Sequence, residues 1–248
     1  MEHGNEQNEL PADDFRADLY GAYALLLSGE NWCMRIARRY FLLARGDLRE
    51  RLGQWVAREV DPGIARKTVH PVLENRRLRF RLARTVLQRL NDWVFMRLLP
   101  LRWKLLGLMG IEHFKVMMAE MALEDPRYLE STDRSMGGLL QRHFVEVVEH
   151  RGVVHDVAIF VGFGYVARVL TGWIAMFAYT ASLSLLTGWL SFQQGRMFWP
   201  PTYVQAFRFL FIDEKFLIHL VRYGLGYLRP GFHPVARPTS APIAISPA

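Results

Sequence analysis

Apolar positions recur at three- and four-residue intervals along most of the chain, the spacing that lines one face of an α-helix. The stretch NWCMRIARRYFLLARGDLRERLGQWVAREV (31–60) follows this rule with a weak point at Gly46, which predicts two helices meeting there. At 61–64, DPGI reads as a stop and restart, with Asp61 as a cap and Pro62 in the first turn of the next helix. ENRRLRFRLARTVLQRLNDWVFMRLL (74–99) predicts a long basic amphipathic helix ended by Pro100. Two more helices are predicted over 105–124 and 136–157, with a polar turn at Asp125–Pro126 between them. No run of alternating strands and no internal repeat breaks this series, so the expected fold is an all-α bundle. The expected organisation is a single helical domain over 15–234, with disordered segments at 1–14 and in the Pro/Ala-rich tail 235–248.

The segment after Arg168 departs from the amphipathic pattern, because it holds no charged residue through Gly195. At ~1.5 Å per residue it is long enough to cross ~30 Å of hydrocarbon. Trp173, Trp189 and Trp199 stand towards its ends, where interfacial anchors sit. The same run also suits a core helix, or two helices broken near Gly188; membrane insertion or peripheral association is the preferred reading. Charge adds to it. Between Asn31 and Lys104, 18 Lys/Arg stand against 6 Asp/Glu, and the whole chain carries +7. Such a block matches anionic lipid headgroups, and membrane lipids are the expected partner. Nucleic acid is not expected, since no helix-turn-helix, finger or RNA-binding signature accompanies the arginines.

Composition sets broad limits. With 51% hydrophobic and 22% charged residues, the chain is neither disordered nor polytopic throughout. Cys33 is the one cysteine, which excludes an intrachain disulfide and fits a reducing compartment. The polar, acidic first twenty residues lack the features of a secretory signal. The expected location is therefore the cytoplasmic face of a membrane, with a homo-oligomer or a membrane protein complex left open.

Candidate chemistry concentrates in HFVEVVEHRGVVHD (143–156), where three histidines and three carboxylates interrupt an apolar helix pattern. Such groups need partners if they are buried. At ~100° per residue, Glu146 falls near ~−60° and His150 near ~−20° from His143, so the three share one face. They can meet one ion, with Glu30, Glu59 and Glu112 supplied from facing helices, as in di-metal helical bundles. A metal site and a structural polar network both fit this pattern. Several other signals read as structural. His155 is expected to pack, Asp156 to pair with Arg151 or Arg168, His233 to stabilise a Pro-Gly turn, and Met117, Met118 and Met121 to fill core. Gly162-x-Gly164-x-x-Ala167 outlines a dinucleotide-binding turn but has no acidic residue following it through Gly195, and it is read as helix packing.

Four motifs in order, GEnwcmRiaRRY (29–40), gIEHFKvMmAE (110–120), RHFVEVVEHRGVVHDV (142–157) and YLRPGFHP (227–234), resemble a bacterial family of predicted metal-dependent hydrolases. The resemblance runs from about Tyr20 to Pro234 and implies a ferritin-like helical bundle, a carboxylate/histidine metal pocket and a hydrophobic segment ahead of RPGFHP. The chain departs from the family pattern in two places. Pro62 and Arg66 stand where histidines belong, and Val147 replaces a glutamate; His70 is a candidate replacement ligand.

Two functions follow from these expectations. The first is a membrane-associated metal-dependent hydrolase, or an oxygen-activating enzyme, acting on an apolar small molecule. It would bind iron, manganese or zinc through Glu30, Glu59, Glu112, Glu146 and His150, with Glu146 and His143 as catalytic groups. The second is a metal-free helical scaffold or interaction subunit, with Arg66 supplying the missing cation.

Overall fold

The computed structural model describes residues 14–28, 31–59, 97–125, 127–130 and 134–236, with a few positions between 82 and 93. Among them there is no strand. The helices are α1 (Asp14–Ser28), α2 (Asn31–Phe41), α3 (Gly46–Glu59), α4 (Leu101–Glu124), α5 (Arg127–Glu130) and α6 (Arg134–Glu149), followed by α7 (Val153–Phe160), α8 (Tyr165–Gln193), α9 (Pro200–Phe207) and α10 (Phe216–Tyr227). The all-α expectation holds.

Four helices form the bundle. α1 packs on α8, α8 on α4, and α4 on α6. Tyr23 of α1 closes the ring against Phe144 of α6, with ring centroids 5.5 Å apart. α4 is central, and almost every residue from Leu105 to Ala122 is buried. It meets α8 closely because a Cβ at Gly110 would lie 2.6 Å from Ala175 Cβ and 3.0 Å from Gly172 Cα. A larger residue at 110 would force the two helices apart. At the far end of α8, the buried Asp18 carboxylate accepts from Ser191 (2.7 Å) and Arg196 (2.9 Å), tying α1 to α8.

α2 shows how spacing sets burial: Trp32, Cys33, Ile36, Ala37 and Tyr40 face the core, while Arg35, Arg38 and Arg39 face water. Gly46 begins α3 with φ +55°, a left-handed conformation that glycine adopts without strain, and the predicted break falls there. α3 and α7 pack on one flank of the bundle.

Two expectations need correction, and the alternative of a break within the hydrophobic segment drops out. The single helix predicted over 136–157 is two helices, because the chain turns at His150–Gly152 before α7 starts. The hydrophobic segment is one unbroken helix, α8, with no interruption at Gly188. Gly162 and Gly164 do not ease helix packing, since nothing lies within 4 Å of a Cβ at either. They form the turn between α7 and α8, where Gly162 has φ +85°. That turn follows a helix, which also removes the dinucleotide-binding outline. Most of the basic helix expected at 74–99 lies outside the described residues, as do Asp61 to His70 and the two terminal segments through 13 and from 237.

Candidate metal centre

His155 and Asp156 sit in the first turn of α7, directly after Gly152. The packing of α7 on α3 brings Arg51 to Asp156, whose Oδ2 accepts from the guanidinium at 2.6 Å. The YLRPGFHP segment arrives from the other side. The buried Arg168 donates to the carbonyls of Tyr227 and Arg229, both at 2.9 Å, and lies over the rings of Tyr227 (4.9 Å) and Phe232 (5.6 Å). A cation stacked on aromatic faces and bonded to two helix-end carbonyls fixes the turn that follows α10. That turn delivers His233 to α7.

The geometry there is tight. His233 Nε2 lies 2.7 Å from Asp156 Oδ1, and the His155 and His233 ring centroids are 4.8 Å apart. The Val235 N–H donates to His233 Nδ1 at 3.2 Å, so the ring proton is on Nε2 and is donated to Asp156. Gly152 makes room for the segment, because a Cβ there would be 2.7 Å from Val235 Cγ2 and 3.3 Å from His233 Cε1. His155 is 5% exposed, and neither of its ring nitrogens has a hydrogen-bond partner. Each residue of the trio offers one ligand atom, and these atoms lie within 4.8 Å of one another. Among the described residues this is the one group of three with that property.

Electrostatics keep His155 and Asp156 in their ligating forms. Burial, reinforced by the neighbouring His233 and Arg168, lowers the His155 pKa to about 4, so its imidazole is neutral at pH 7. Burial pushes the Asp156 carboxyl up, but bonds from His233 and Arg51 outweigh it and hold the group below its ordinary value. Two imidazoles and one carboxylate suit a divalent zinc, iron or manganese ion. The buried, unpartnered His155 nitrogens are what such an ion would satisfy.

The residues singled out by sequence fall elsewhere. Glu30 lies outside the described residues, as do Pro62, Arg66 and His70, and Glu59 ends α3 with its side chain outside them. Glu112 is buried in α4 and accepts from Lys115 Nζ at 2.9 Å. Lys115 is completely buried. His143 turns inward beside Tyr23, its Nε2 buried with no hydrogen-bond partner. Burial and the Lys115 charge lower its pKa to about 3. Glu146 is solvent-exposed, and His150, just past the end of α6, places Nδ1 2.8 Å from the Glu146 carbonyl oxygen. Among the described residues, Glu112, His143, Glu146 and His150 do not form a group of three converging ligand atoms.

Sequence reading assigned structural roles to the trio. Asp156 pairs with Arg51 and His233 rather than with Arg151 or Arg168. His155 packs as expected, its ring against that of His233, but neither of its nitrogens has a hydrogen-bond partner. The available signal was the adjacent His-Asp pair after Gly152 together with the histidine of RPGFHP; joining them requires the turn built on Arg168. Neither a curated protein nor a solved structure matches the chain. The family model described as predicted metal-dependent hydrolase matches residues 6–237, nearly the full length, and the chain belongs to that family.

Proposed function

We propose that this protein is a membrane-associated metal-dependent hydrolase whose divalent ion is held by His155, Asp156 and His233. The observation that carries the reading is the buried His155 imidazole, with both nitrogens unpartnered, beside two other ligand atoms within 4.8 Å. A divalent ion bound there supplies Lewis acidity to a substrate carbonyl or phosphoryl oxygen. The chain's own groups prepare the site. Arg51 holds Asp156 ionised and occupies its outer oxygen, and the Val235 N–H fixes the His233 ring. Phe232 packs near His155, with ring centroids 6.3 Å apart. For an ion to take His233 Nε2, the ring proton now donated to Asp156 would have to shift to Nδ1, giving up the Val235 N–H contact. Competition between protons and metal for the ligand atoms makes affinity fall as pH falls.

The same two-histidine, one-carboxylate donor set serves oxygen-activating iron sites. Hydrolysis is preferred here because the family description carries it. The exposed apolar outer side of α8 supports membrane association.

A second reading places the ion in the interior, at Glu112 and His143 with Glu30, Glu59, Glu146 and His150. The buried, unpartnered His143 Nε2 favours it. Elemental analysis of the purified chain separates the two. We expect about one ion per chain, lost in His155→Ala and His233→Ala and retained in His143→Ala. Loss in His143→Ala alone would move the ion to the interior pocket. A folded wild-type chain that refuses added zinc, iron and manganese would leave the metal-free scaffold as the function.

A further inference from the structure

The flank formed by α8, α9 and α10 is apolar where it meets solvent. α8 buries one side against α1 and α4, while Val166, Leu170, Ile174, Phe177, Leu185 and Phe192 are exposed on the other. No charged residue lies between Arg168 and Arg196 to interrupt that side. The exposed apolar surface continues through Phe198 and Trp199, then Tyr203, Val204, Phe207 and Phe211, and reaches Ile218, Val221 and Leu225 of α10. α8 and α10 are joined by Trp173, which sits against Gly224 and pairs with the exposed Phe177 at 5.6 Å.

The extent of this surface argues for a partner. Phe177, Phe192, Phe198, Trp199, Tyr203 and Phe207 are each more than half exposed. At ~150–250 Å² per aromatic side chain, they alone leave on the order of 500 Å² in water. The largest patch on a typical monomer is ~300–600 Å², and the aliphatic side chains are still to be added.

Charge identifies the partner. Arg222 and Arg229 line an open groove of about 580 Å³ on α10 together with Ile218, Val221, Leu225 and Gly226. From Tyr165 to Ala236 there are six Lys/Arg against two Asp/Glu. A second copy would meet this face with the same excess of positive charge, whereas an anionic bilayer offers hydrocarbon for the apolar residues and phosphate for the arginines. A second stripe points the same way: Leu82, Val86, Leu90 and Trp93 are exposed at helical spacing within the arginine-rich segment.

The packing of α8 also fixes its orientation. Its inner side rests on α4, which carries Glu112, Lys115 and Glu120 buried in the core. If α8 crossed the bilayer, its partner helices and their charges would have to follow it into hydrocarbon. Resting on the membrane association proposed above, we propose that α8 lies flat in the interface of an anionic bilayer, half immersed, and that the α10 groove takes a lipid headgroup phosphate between Arg222 and Arg229.

Two measurements on the full chain test this. The first is sedimentation with phosphatidylcholine vesicles, with and without phosphatidylglycerol. Binding should require phosphatidylglycerol and weaken on the order of 30-fold in Arg222→Gln/Arg229→Gln, the value of two basic residues near such a surface. Phe198→Glu/Trp199→Glu should abolish it, with thermal melts of both variants unchanged. The second is the depth of nitroxide labels at Val166→Cys, Ile174→Cys and Leu185→Cys, which should be shallow and equal; the native Cys33 is buried. Depth that peaks at the middle label, or binding that ignores phosphatidylglycerol and both arginines, overturns the proposal while membrane association stands. No vesicle binding, with a concentration-dependent dimer instead, overturns both.

Discussion

The molecule holds two histidine centres with buried ring nitrogens, and they differ in where their cation sits. At His143 the cation is internal: the fully buried Lys115 ammonium lies 2.9 Å from Glu112 and near enough to the imidazole to help lower its pKa. At His155 the cation is peripheral: the partly exposed Arg51 holds the outer oxygen of Asp156, and the inner oxygen faces His233. Both imidazoles are neutral at pH 7 and both have an unpartnered buried nitrogen. An ion entering the first centre meets an ammonium already in the core, while an ion entering the second meets a carboxylate and an imidazole whose nitrogens have no hydrogen-bond partner. That difference favours the trio as the metal centre and gives Lys115 a structural role.

The largest expected effect follows from removing Lys115. Lys115→Ala deprives the buried Glu112 carboxylate of this partner and should destabilise the fold by about 3–5 kcal/mol, read by denaturant or thermal unfolding. The double variant Lys115→Met/Glu112→Leu, which removes both charges and keeps the volume, should recover most of that loss. Metal content should stay the same in each folded variant. A gain of metal in Lys115→Met would show that the ammonium had been holding an ion's place, and would return the catalytic centre to the interior.

The next effect is acid lability, and its sign is set by the depressed histidine pKa. His143 titrates at about 3 when folded and near 6.5 when unfolded, so between those values the unfolded chain binds more protons. Stability is complete above pH 6.5 and is lost as pH falls towards 3. At pH 5 the loss from this residue is about 2 kcal/mol, and His155, lowered to about 4, acts in the same direction in the metal-free chain. Melting temperatures between pH 7 and 4 should therefore fall less steeply in His143→Leu than in the wild type. A slope that is the same in both would mean His143 is protonated in the fold, against its burial beside Lys115.

The bundle was legible in sequence because its signals are local. The break at Gly46 and the uncharged run that becomes α8 depend on residues within a few turns of each other. The trio was not legible in that way. His155 and Asp156 are adjacent, but His233 is 77 residues beyond Asp156 and reaches it through a turn fixed by Arg168 and the aromatic rings. Arg51 comes from a third helix, 105 residues from Asp156. Lys115 was passed over because one lysine in an apolar helix looks like solvated surface until packing closes around it. Helical spacing also put His143, Glu146 and His150 on one face. It could not show that Glu146 is exposed or that the helix ends before His150.

Gly152→Ala is the mildest perturbation of the trio, since it removes no ligand and no charge. The backbone at Gly152 is ordinary right-handed helix, φ −96° and ψ −16°, so alanine fits it and should contribute about 0.4–1 kcal/mol by restricting the unfolded chain. Against that gain stands the new methyl, 2.7 Å from Val235 Cγ2 and 3.3 Å from His233 Cε1. Val235 is largely exposed and its side-chain tip can swing away, whereas His233 is held by Asp156 and can yield only a few tenths of an ångström. The two terms nearly cancel in stability, so the melting temperature should barely move. Metal affinity should fall severalfold, because His233 is displaced from Asp156 and His155, and Gly152→Ala/Val235→Ala should restore part of it. Full affinity in Gly152→Ala would show that His233 is not a ligand, leaving His155 and Asp156 short of a third donor from this turn.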